Sequence, residues 1–328
     1  MKVLIFEYIT GGGFNKRVLP DTLAQEGMLM LQALLDNFSK LSDIKPIVML
    51  DSRLTGRLCT EHIDVEIINP RHDSHEEFLR LATQCDAVWP IAPEFDEILK
   101  TLCQMITPST LLLTSPASVV AITGNKWLTY QHLIKHHIAT VSTQLLHYSD
   151  FYRGDWIIKA LDGAGCSDSY LITDQQDFDN ALNLAGKFII QPHLQGKKTS
   201  LSCLFKQGTA WLLSVNLQRF NIINKQYQLV EIIVNHNQNQ DLYQDLYQGL
   251  ADDIARALPD LWGYVGIDLI ETAEQTFVLE INPRLTTSFA GIYAALGINV
   301  AEQVLRLLKS APDVKTIYNK SINIKINQ

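Results

Sequence analysis

The chain has 328 residues, of which 47% are hydrophobic and 19% charged, and its formal net charge is -8. This composition is typical of a globular protein of two or three domains, and it argues against a disordered or fibrous chain and against a nucleic-acid partner. The five cysteines lack CxxC spacing, which indicates reduced thiols in a cytoplasmic compartment, and no apolar run reaches the length of about 18 residues that a membrane span needs.

Short apolar runs alternate with amphipathic segments from residue 2 to about residue 113, beginning with KVLIFEY and TLAQEGMLMLQALLDNF. This alternation predicts a parallel sheet with crossover helices. Pro20 and Asp21 are typical helix-start residues, so the first helix is expected to begin several residues after the glycines of FEYITGGG. We therefore predict a Rossmann-like α/β domain over residues 1–115.

The pattern changes after residue 115. A helical segment, GNKWLTYQHLIKHH, precedes the strand-like runs DWIIKAL and SYLIT, a helical DQQDFDNALNLAG and a strand KFIIQ. These elements predict a small α+β unit over residues 116–190. Further along, SLSCLF, AWLLSVNLQ and QYQLVEIIV predict antiparallel strands, and DLYQDLYQGLADDIARAL predicts a helix, so residues 191–328 form a third unit.

Two strand-like runs near the end, GYVGIDLI and TFVLEIN, are joined by polar ETAEQ and predict a β-hairpin. If its loop has an odd number of residues, such as 272–276, Asp268 lies opposite Glu280, and period-two alternation puts Asn282 on the same face. Two carboxylates and an amide oxygen suit Mg²⁺, with Mn²⁺ as an alternative. The competing interpretation, two exposed acids on an edge hairpin, is disfavoured because the flanking positions are apolar.

Candidate anion-binding groups occur in three further places. Lys126 lies in the first turn of a predicted helix, where a cation gains nothing from the helix dipole, and Lys159 lies within an apolar strand. The loop after that strand contains Gly163 and Gly165, which can direct backbone N–H groups towards phosphates. Arg284 follows the candidate metal ligands, where a guanidinium can meet phosphate oxygens. Taken singly, each feature has an ordinary alternative: a surface lysine, a hairpin turn or a surface salt bridge.

Two other segments offer polar groups to a ligand. Gln191 opens the non-helical connector QPHLQGKK, which either presents backbone groups to a nucleobase edge or is a simple interdomain linker. Thr287 and Ser288 supply hydroxyl donors, with helix capping as the alternative role.

The order of these features resembles the ATP-grasp superfamily of carboxylate–amine ligases over nearly the whole chain. The resemblance implies an ATP-grasp fold with a pre-ATP-grasp domain at 1–115, a lid subdomain at 116–190 and a catalytic subdomain at 191–328. It also implies ATP and magnesium as ligands. The implied roles are phosphate contacts for Lys126, Lys159, Gly163 and Gly165, adenine contacts for Gln191 and Leu194, metal binding for Asp268, Glu280 and Asn282, and a catalytic role for Arg284 with Lys159. The hinge lacks the acidic residue that many members carry there, which leaves the ribose contact unassigned.

Within the superfamily, FEYITGGG and EINPRLTTSF are most similar to the tyramine–glutamate ligases of methanofuran biosynthesis. The resemblance implies ADP-forming C–N bond synthesis through an acyl phosphate, with small-molecule carboxylate and amine substrates, no nucleic-acid or membrane partner, and a homodimer left open. A ligase for another acid and amine, or an ATP-binding module without catalysis, are the alternatives. A nicotinamide- or flavin-binding protein is disfavoured because GGGFNKR does not match GxGxxG.

The glycines of FEYITGGG are expected to end the first strand at the carboxyl edge of the parallel sheet, where ligand crevices form in α/β proteins. The N–H groups of Gly11, Gly12 and Gly13, together with Thr10, are predicted to hold a substrate carboxylate or the acyl-phosphate oxygens. With Thr287 and Ser288 they make up the predicted substrate site. The alternative for the glycines is a tight flexible turn.

Overall fold

A parallel sheet forms the N-terminal part of the molecule, seen in a computed structural model that describes residues 1–60, 63–146, 154–163, 169–182, 188–236 and 241–326. The described strands lie in the order β3-β2-β1-β4-β5. They are β1 (Lys2–Glu7), β2 (Lys45–Asp51), β3 (Asp64–Ile68), β4 (Ala87–Ile91) and β5 (Leu111–Leu112), and the helices α1 (Asp21–Phe38), α2 (Ser74–Ala82) and α3 (Ile98–Met105) lie between them in the chain. The predicted Rossmann-like parallel sheet is confirmed.

Strand β1 lies at the centre of this sheet, between β2 and β4. Its sequence KVLIFE is almost continuously apolar and almost wholly buried, because a central strand of a parallel sheet is covered on both faces. The strand order reverses between β1 and β4, so a crevice opens at the carboxyl ends of these two strands. Glu7, the last residue of β1, lies at that edge.

The second sheet is antiparallel, and in the part of the chain that the structure describes its strands follow the order β14-β13-β10-β11-β12-β8-β7-β9-β6, with β15 also paired to β12. These strands are β6 (Gln144–Leu145), β7 (Trp156–Ala160), β8 (Ser169–Ile172), β9 (Phe188–Pro192), β10 (Lys197–Lys206), β11 (Thr209–Ile223), β12 (Gln226–Val234), β13 (Gly263–Glu271), β14 (Thr276–Asn282) and β15 (Ile322–Lys325). The accompanying helices are α4 (Ala117–Thr123), α5 (Lys126–Lys135), α6 (Gln175–Leu182), α7 (Asp241–Ala257), α8 (Phe289–Leu296) and α9 (Val300–Leu307).

The two halves of the antiparallel sheet meet at the end of the β11–β12 hairpin. Within the described ranges, β8 and β12 share one residue pair, Tyr170 with Gln226. The junction also has a hydrogen bond from the Leu171 N–H to the Lys225 carbonyl, 2.8 Å long, and an ion pair of 2.9 Å between Lys225 Nζ and Asp177 Oδ2. Strand β9 extends to Pro192, two residues beyond the predicted subdomain boundary, and the three-part division stays a prediction.

A shared hydrophobic core joins the N-terminal unit to the C-terminal helices. It contains Ile5 and Trp89 of the parallel sheet, Leu34 of α1, Ile292 of α8 and Val304 of α9. Helix α1 therefore packs its apolar face on two elements that follow it by more than 250 residues, and large apolar side chains buried in this way each stabilise the fold by about 1.5–3 kcal/mol. This packing fixes the parallel sheet against the β13–β14 hairpin.

The cysteines and helices carry no sign of a disulfide framework or a membrane span. Cys59, Cys85, Cys103 and Cys203 are free thiols, and Cys166 lies outside the described residues. Burial raises the pKa of Cys103 to about 12, so its thiol stays protonated. In the described ranges no helix combines the length and the apolar character that crossing a bilayer requires.

Candidate active site

A long cavity lies between the two sheets, and its empty volume, including the open mouth, is about 1640 Å³. The parallel sheet and α1 contribute Glu7 and Glu26, the β13–β14 hairpin contributes Asp268 and Glu280, and the connector after β9 contributes Leu194. Segments that are far apart in the sequence therefore line one space, as expected for a binding site between domains.

The β13–β14 hairpin pairs Asp268 with Glu280, as predicted, and it also pairs Gly266 with Asn282. The reason given from the sequence was wrong, because the loop between the last pair, Glu271 and Thr276, has an even number of residues. A β-bulge corrects the register: Leu269 pairs with Val278 while Asp268 pairs with Glu280, which leaves Leu279 as the extra residue. Without the bulge, the register set by the loop would place Leu279 opposite Asp268.

The Asp268 carboxylate lies in a polar cage. Gln218 Nε2 donates to Asp268 Oδ1 at 2.8 Å, and Asn282 Nδ2 donates to Asp268 Oδ2 at 3.1 Å. Burial, together with the nearby charge of Glu280, raises the pKa of Asp268 to about 6. Two neighbouring carboxylates repel each other when both are ionised, and a divalent cation bound between them would remove this repulsion.

The donor set fits magnesium. Among the described residues no group of three or more His, Cys, Asp or Glu side chains is placed to hold a metal ion. Asp268, Glu280 and Asn282 provide three oxygen donors on one face, and Mg²⁺ typically takes one or two carboxylates together with substrate phosphates and water. Their role as ligands stays a prediction.

Lys126 contacts one of the candidate metal ligands. Its Nζ donates to Glu280 Oε1 at 3.0 Å and to the Gly163 carbonyl at 2.7 Å. Lys126 lies in the first turn of α5, as predicted, and Asn125 caps that helix through the N–H groups of the second and third residues that follow it. The lysine thus lies between the hairpin and the glycine loop, and Lys159 lines the same cavity. Gly165 lies outside the described residues.

Arg284 forms a buried bidentate ion pair that the sequence did not reveal. Its Nε and Nη2 atoms donate to the two carboxylate oxygens of Glu94, each at 2.8 Å. The side chains are 13% and 4% exposed, so solvent screens this pair very little. No sequence signal identifies Glu94, because the two residues are 190 positions apart and meet only when the parallel sheet docks on the hairpin.

The glycines after β1 form a packed turn, whereas the sequence predicted that they would contact the substrate. Residues 9–13 form a tight helical turn after β1, and the Gly13 N–H donates to the Tyr8 carbonyl at 2.8 Å. Gly12 has a φ of 99°, and a Cβ there would lie 2.4 Å from Ile68 Cγ2, so glycine is required by conformation and by packing. Residues 10–13 do not line the cavity, whereas Glu7 and Ile9 do. The tight turn accounts for these glycines, and their contact with substrate stays a prediction.

Thr10 holds a buried carboxylate in place. Its N–H and its hydroxyl both donate to Glu7 Oε2, at 2.7 and 2.6 Å. Burial raises the pKa of Glu7 to about 7, although these hydrogen bonds and the charge of Arg284 oppose the shift. Glu7 was not identified from the sequence, where it is one acid within a strand-like run.

The segment after Arg284 also fixes an acidic side chain. Thr287 Oγ1 donates to Glu26 Oε2 at 2.6 Å, and burial raises the pKa of Glu26. Ser288 occupies the N-cap position of α8, but its hydroxyl makes no capping hydrogen bond. It lies instead 2.9 Å from Thr286 Oγ1 and 3.4 Å from the Tyr264 hydroxyl. Both Thr287 and Ser288 line the cavity, as their predicted substrate role requires.

The connector after β9 forms the other part of the cavity wall. Gln191 Nε2 donates to Thr143 Oγ1 at 2.8 Å in a buried position, and Leu194 lies beside it on the wall. A basic and aromatic group lies just beyond this connector. Lys198 Nζ lies 3.2 Å from the centre of the Tyr227 ring, a cation–π contact, and His193 Nε2 lies 2.5 Å from the Tyr227 hydroxyl oxygen.

Comparison with known families gives the class of protein that this fold and cavity define. Residues 123–288 match the ATP-grasp domain, and residues 44–120 match the pre ATP-grasp 3 domain. The chain belongs to the ATP-grasp family. The predicted ATP-grasp fold, with its N-terminal parallel sheet, and the predicted class of ADP-forming C–N ligase are confirmed.

Individual relatives support the same class. Tyramine–L-glutamate ligase from Methanocaldococcus jannaschii is 23% identical over 293 residues, which is 88% of this chain and 84% of that protein. The structure of an ATP-grasp superfamily protein from Archaeoglobus fulgidus is 24% identical, with a TM-score of 0.73 over 99% of this chain and 92% of the other. The ADP complex of N5-carboxyaminoimidazole ribonucleotide synthetase is 19% identical, with a TM-score of 0.70 over 98% and 80% of the two chains.

Proposed function

We propose that this protein joins glutamate to tyramine in an ATP-dependent reaction that proceeds through an acyl phosphate, as a step in the synthesis of a methanofuran-type cofactor. The observation that carries the proposal is the convergence of Asp268, Glu280, Lys159 and Arg284 on one cavity. The choice of substrate pair is supported by the name of the Methanocaldococcus jannaschii relative, to which the chain is similar over most of its length.

Asp268, Glu280 and Asn282 are the residues that would hold Mg²⁺, which when bound neutralises charge on the phosphate oxygens of ATP. Lys126 and Lys159 are proposed to bind those phosphates. In this role Lys126 would exchange its contact with Glu280 for a contact with phosphate, and a metal ion held by Glu280 would supply the positive charge that the carboxylate loses. The neighbouring Gly163 carbonyl keeps the lysine close to the loop while it does so.

Arg284 is proposed to stabilise negative charge that develops on the transferred phosphoryl group and on the acyl carbonyl. Its ion pair with Glu94 fixes the plane of the guanidinium, and Nη1 donates to the Leu285 carbonyl at 3.2 Å. Arg284 lines the cavity in this fixed orientation. A donor that is held rigidly before the reaction lowers the barrier without a reorganisation cost during it. The rest of the catalysis is positioning, because the acyl phosphate formed from the carboxylate is itself an activated intermediate and no protein nucleophile is required.

The direct test measures ADP release and amide formation by the purified protein with ATP, Mg²⁺, glutamate and tyramine. The expected result is ADP release that requires both substrates, with a product mass equal to the sum of the two substrates minus water. Reactions that lack one substrate or the metal are the controls. Release with another acid or amine, but not with this pair, would contradict the substrate assignment and leave the ligase class intact. ATP binding without turnover across a broad panel would favour the non-catalytic alternative.

A further inference from the structure

The end of the cavity nearest the parallel sheet carries two carboxylates that the ATP-dependent chemistry does not use. Glu7 is 2% exposed and Glu26 is partly exposed, and both line the cavity. Hydrogen bonds orient both carboxylates: the N–H and the hydroxyl of Thr10 donate to Glu7 Oε2, and the Thr287 hydroxyl donates to Glu26 Oε2. The end of β1 and the helix α1 that follows it therefore present two acids to one space.

Neither acid has an ion-pair partner among the described residues. The cation that acts on both is Arg284, and it is already committed to Glu94 through two hydrogen bonds of 2.8 Å. Buried carboxylates are normally paired or bind a cation, because an uncompensated charge in a low-dielectric environment is costly. When Glu7 and Glu26 are ionised, this end of the cavity has more negative than positive charge.

Apolar side chains from the same part of the chain line the cavity together with the two acids. They are Ile9 in the turn after β1, Leu23 and Met30 on α1, and Ile91 and Ala92 at and just after the end of β4. A ligand that satisfies both features has a cationic group and an apolar body.

We infer that Glu7 and Glu26 bind the ammonium group of the acceptor amine, while the neighbouring apolar side chains hold its body. The inference rests on the proposed function and specifies how that reaction selects a primary amine with an apolar, arylalkyl-type body. Glu7 and Glu26 are specificity-determining residues in this assignment, since they contact the substrate at the nitrogen that later forms the amide bond.

The amino-acid substrate also has an ammonium group, at its α-carbon, which is the other group that these two acids could bind. The apolar wall favours the amine, because an amino acid would bring at least one further carboxylate next to Glu7 and Glu26 and be repelled. The raised pKa of Glu7, about 7, is consistent with a site that is completed by a cation, since a bound ammonium favours the ionised carboxylate.

The test measures the equilibrium binding of three probes by titration calorimetry, with Mg²⁺ and a non-hydrolysable ATP analogue present. The probes are tyramine, the alcohol in which a hydroxyl replaces its amino group, and glutamate. The variants are Glu7→Gln and Glu26→Gln, which keep an oxygen to accept from Thr10 and Thr287. Asp36→Asn, an exposed acid on the same helix as Glu26, is the matched control.

The expected result is that each glutamine variant raises the Kd of tyramine by about tenfold or more, as lost charge pairs in buried sites do, while the Kd values of glutamate and of the alcohol change less than about twofold. The control variant binds all three probes like the wild type. Melting temperatures establish that the variants are folded.

Three results would overturn the inference: wild-type protein that binds no tyramine, variants that bind it unchanged, or a loss of affinity confined to glutamate. The last would assign the acids to the amino-acid substrate instead. Failure of the proposed function is a separate observation, the absence of ADP release with any acid and amine, and it leaves a binding defect in the glutamine variants interpretable on its own.

Discussion

Replacing Glu7 with glutamine is expected to stabilise the ligand-free protein at alkaline pH. Burial raises the pKa of Glu7 from 4.5 to about 7, so charging this carboxyl is less favourable in the folded protein than in the unfolded chain. Between these two values the folded state binds more protons than the unfolded state, and the stability therefore falls as the pH rises through this window. Glutamine stays neutral and removes this pH dependence.

The expected magnitude follows from the shift. A difference of about 2.5 pKa units, from 4.5 to about 7, corresponds to about 3 kcal/mol at a pH well above 7. At pH 5 the difference in free energy is less than about 1 kcal/mol, because the folded carboxyl is still protonated and the pH is only about half a unit above the pKa of the unfolded state. Because Glu7 is 2% exposed, solvent screening does not reduce this value appreciably. Arg284 is the charged group that acts on Glu7, and it stays ionised throughout this pH range.

The assay is urea denaturation of the wild-type and Glu7→Gln proteins at several pH values from 5 to 8.5, with the free energy of unfolding compared at each. The variant should be more stable by about 3 kcal/mol at pH 8.5, and the difference should shrink steadily towards pH 5. A variant that is equally stable or less stable at pH 8.5 would refute the view that Glu7 carries an uncompensated charge. If the difference in the free energy of unfolding between the two proteins did not change with pH, the titration of Glu7 would not be its cause.

Further predictions concern the ion pair, the metal site and the glycine turn. Glu94→Gln should lower the free energy of unfolding by about 3 kcal/mol, measured by denaturation, because Arg284 is left buried without a counter-charge. Glu280→Gln should reduce ADP release at least about a hundredfold in the ligase assay while leaving the melting temperature nearly unchanged. Gly12→Ala should destabilise the protein by about 2–4 kcal/mol, since its Cβ would meet Ile68, whereas Gly56→Ala, also at positive φ but in open space, should cost only about 1 kcal/mol in a denaturation series.

Matched controls make these outcomes specific. Glu97→Gln removes an acid whose side chain is 69% exposed, three positions from Glu94, and should change stability by less than about 0.5 kcal/mol. Glu274→Gln alters an exposed acid on the same hairpin as Glu280 and should leave turnover intact. If Glu94→Gln were as mild as its control, the ion pair would not contribute to stability, and full turnover by Glu280→Gln would contradict its assignment as a metal ligand.

Local patterns in the sequence predict most of the secondary structure and part of the site. The predicted pairing of Asp268 with Glu280 is correct, although the odd-numbered loop from which it was predicted is not what produces it. Period-two alternation puts Asn282 on the same face as Glu280. The bulge at Leu279 could not be predicted, since it arises from a loop with an even number of residues whose register must still bury that face.

Residues that act at a distance were not found from the sequence. Glu94 and Glu26 are acids with no neighbouring motif, and their significance arises only when the parallel sheet packs on the β13–β14 hairpin and brings them near Arg284 and Thr287. At residues 11–13 three adjacent glycines led to the prediction of a ligand contact, which stays a prediction. Their tight packing against Phe6, Ile68 and Tyr8 shows how a purely steric demand can produce a glycine-rich motif.

The narrow junction between the two halves of the antiparallel sheet has a consequence for protein engineering. Residues 144–192 contain β6 to β9 and α6 as one contiguous stretch, and in the described structure the ladder that attaches this stretch to the β11–β12 hairpin is the single pair of Tyr170 and Gln226. A transplanted segment from another family member would have to match one register position there, together with the Lys225–Asp177 ion pair. Because so few contacts of the sheet have to be matched, residues 144–192 are the stretch of this chain that an exchange between family members would disturb least at the β11–β12 hairpin.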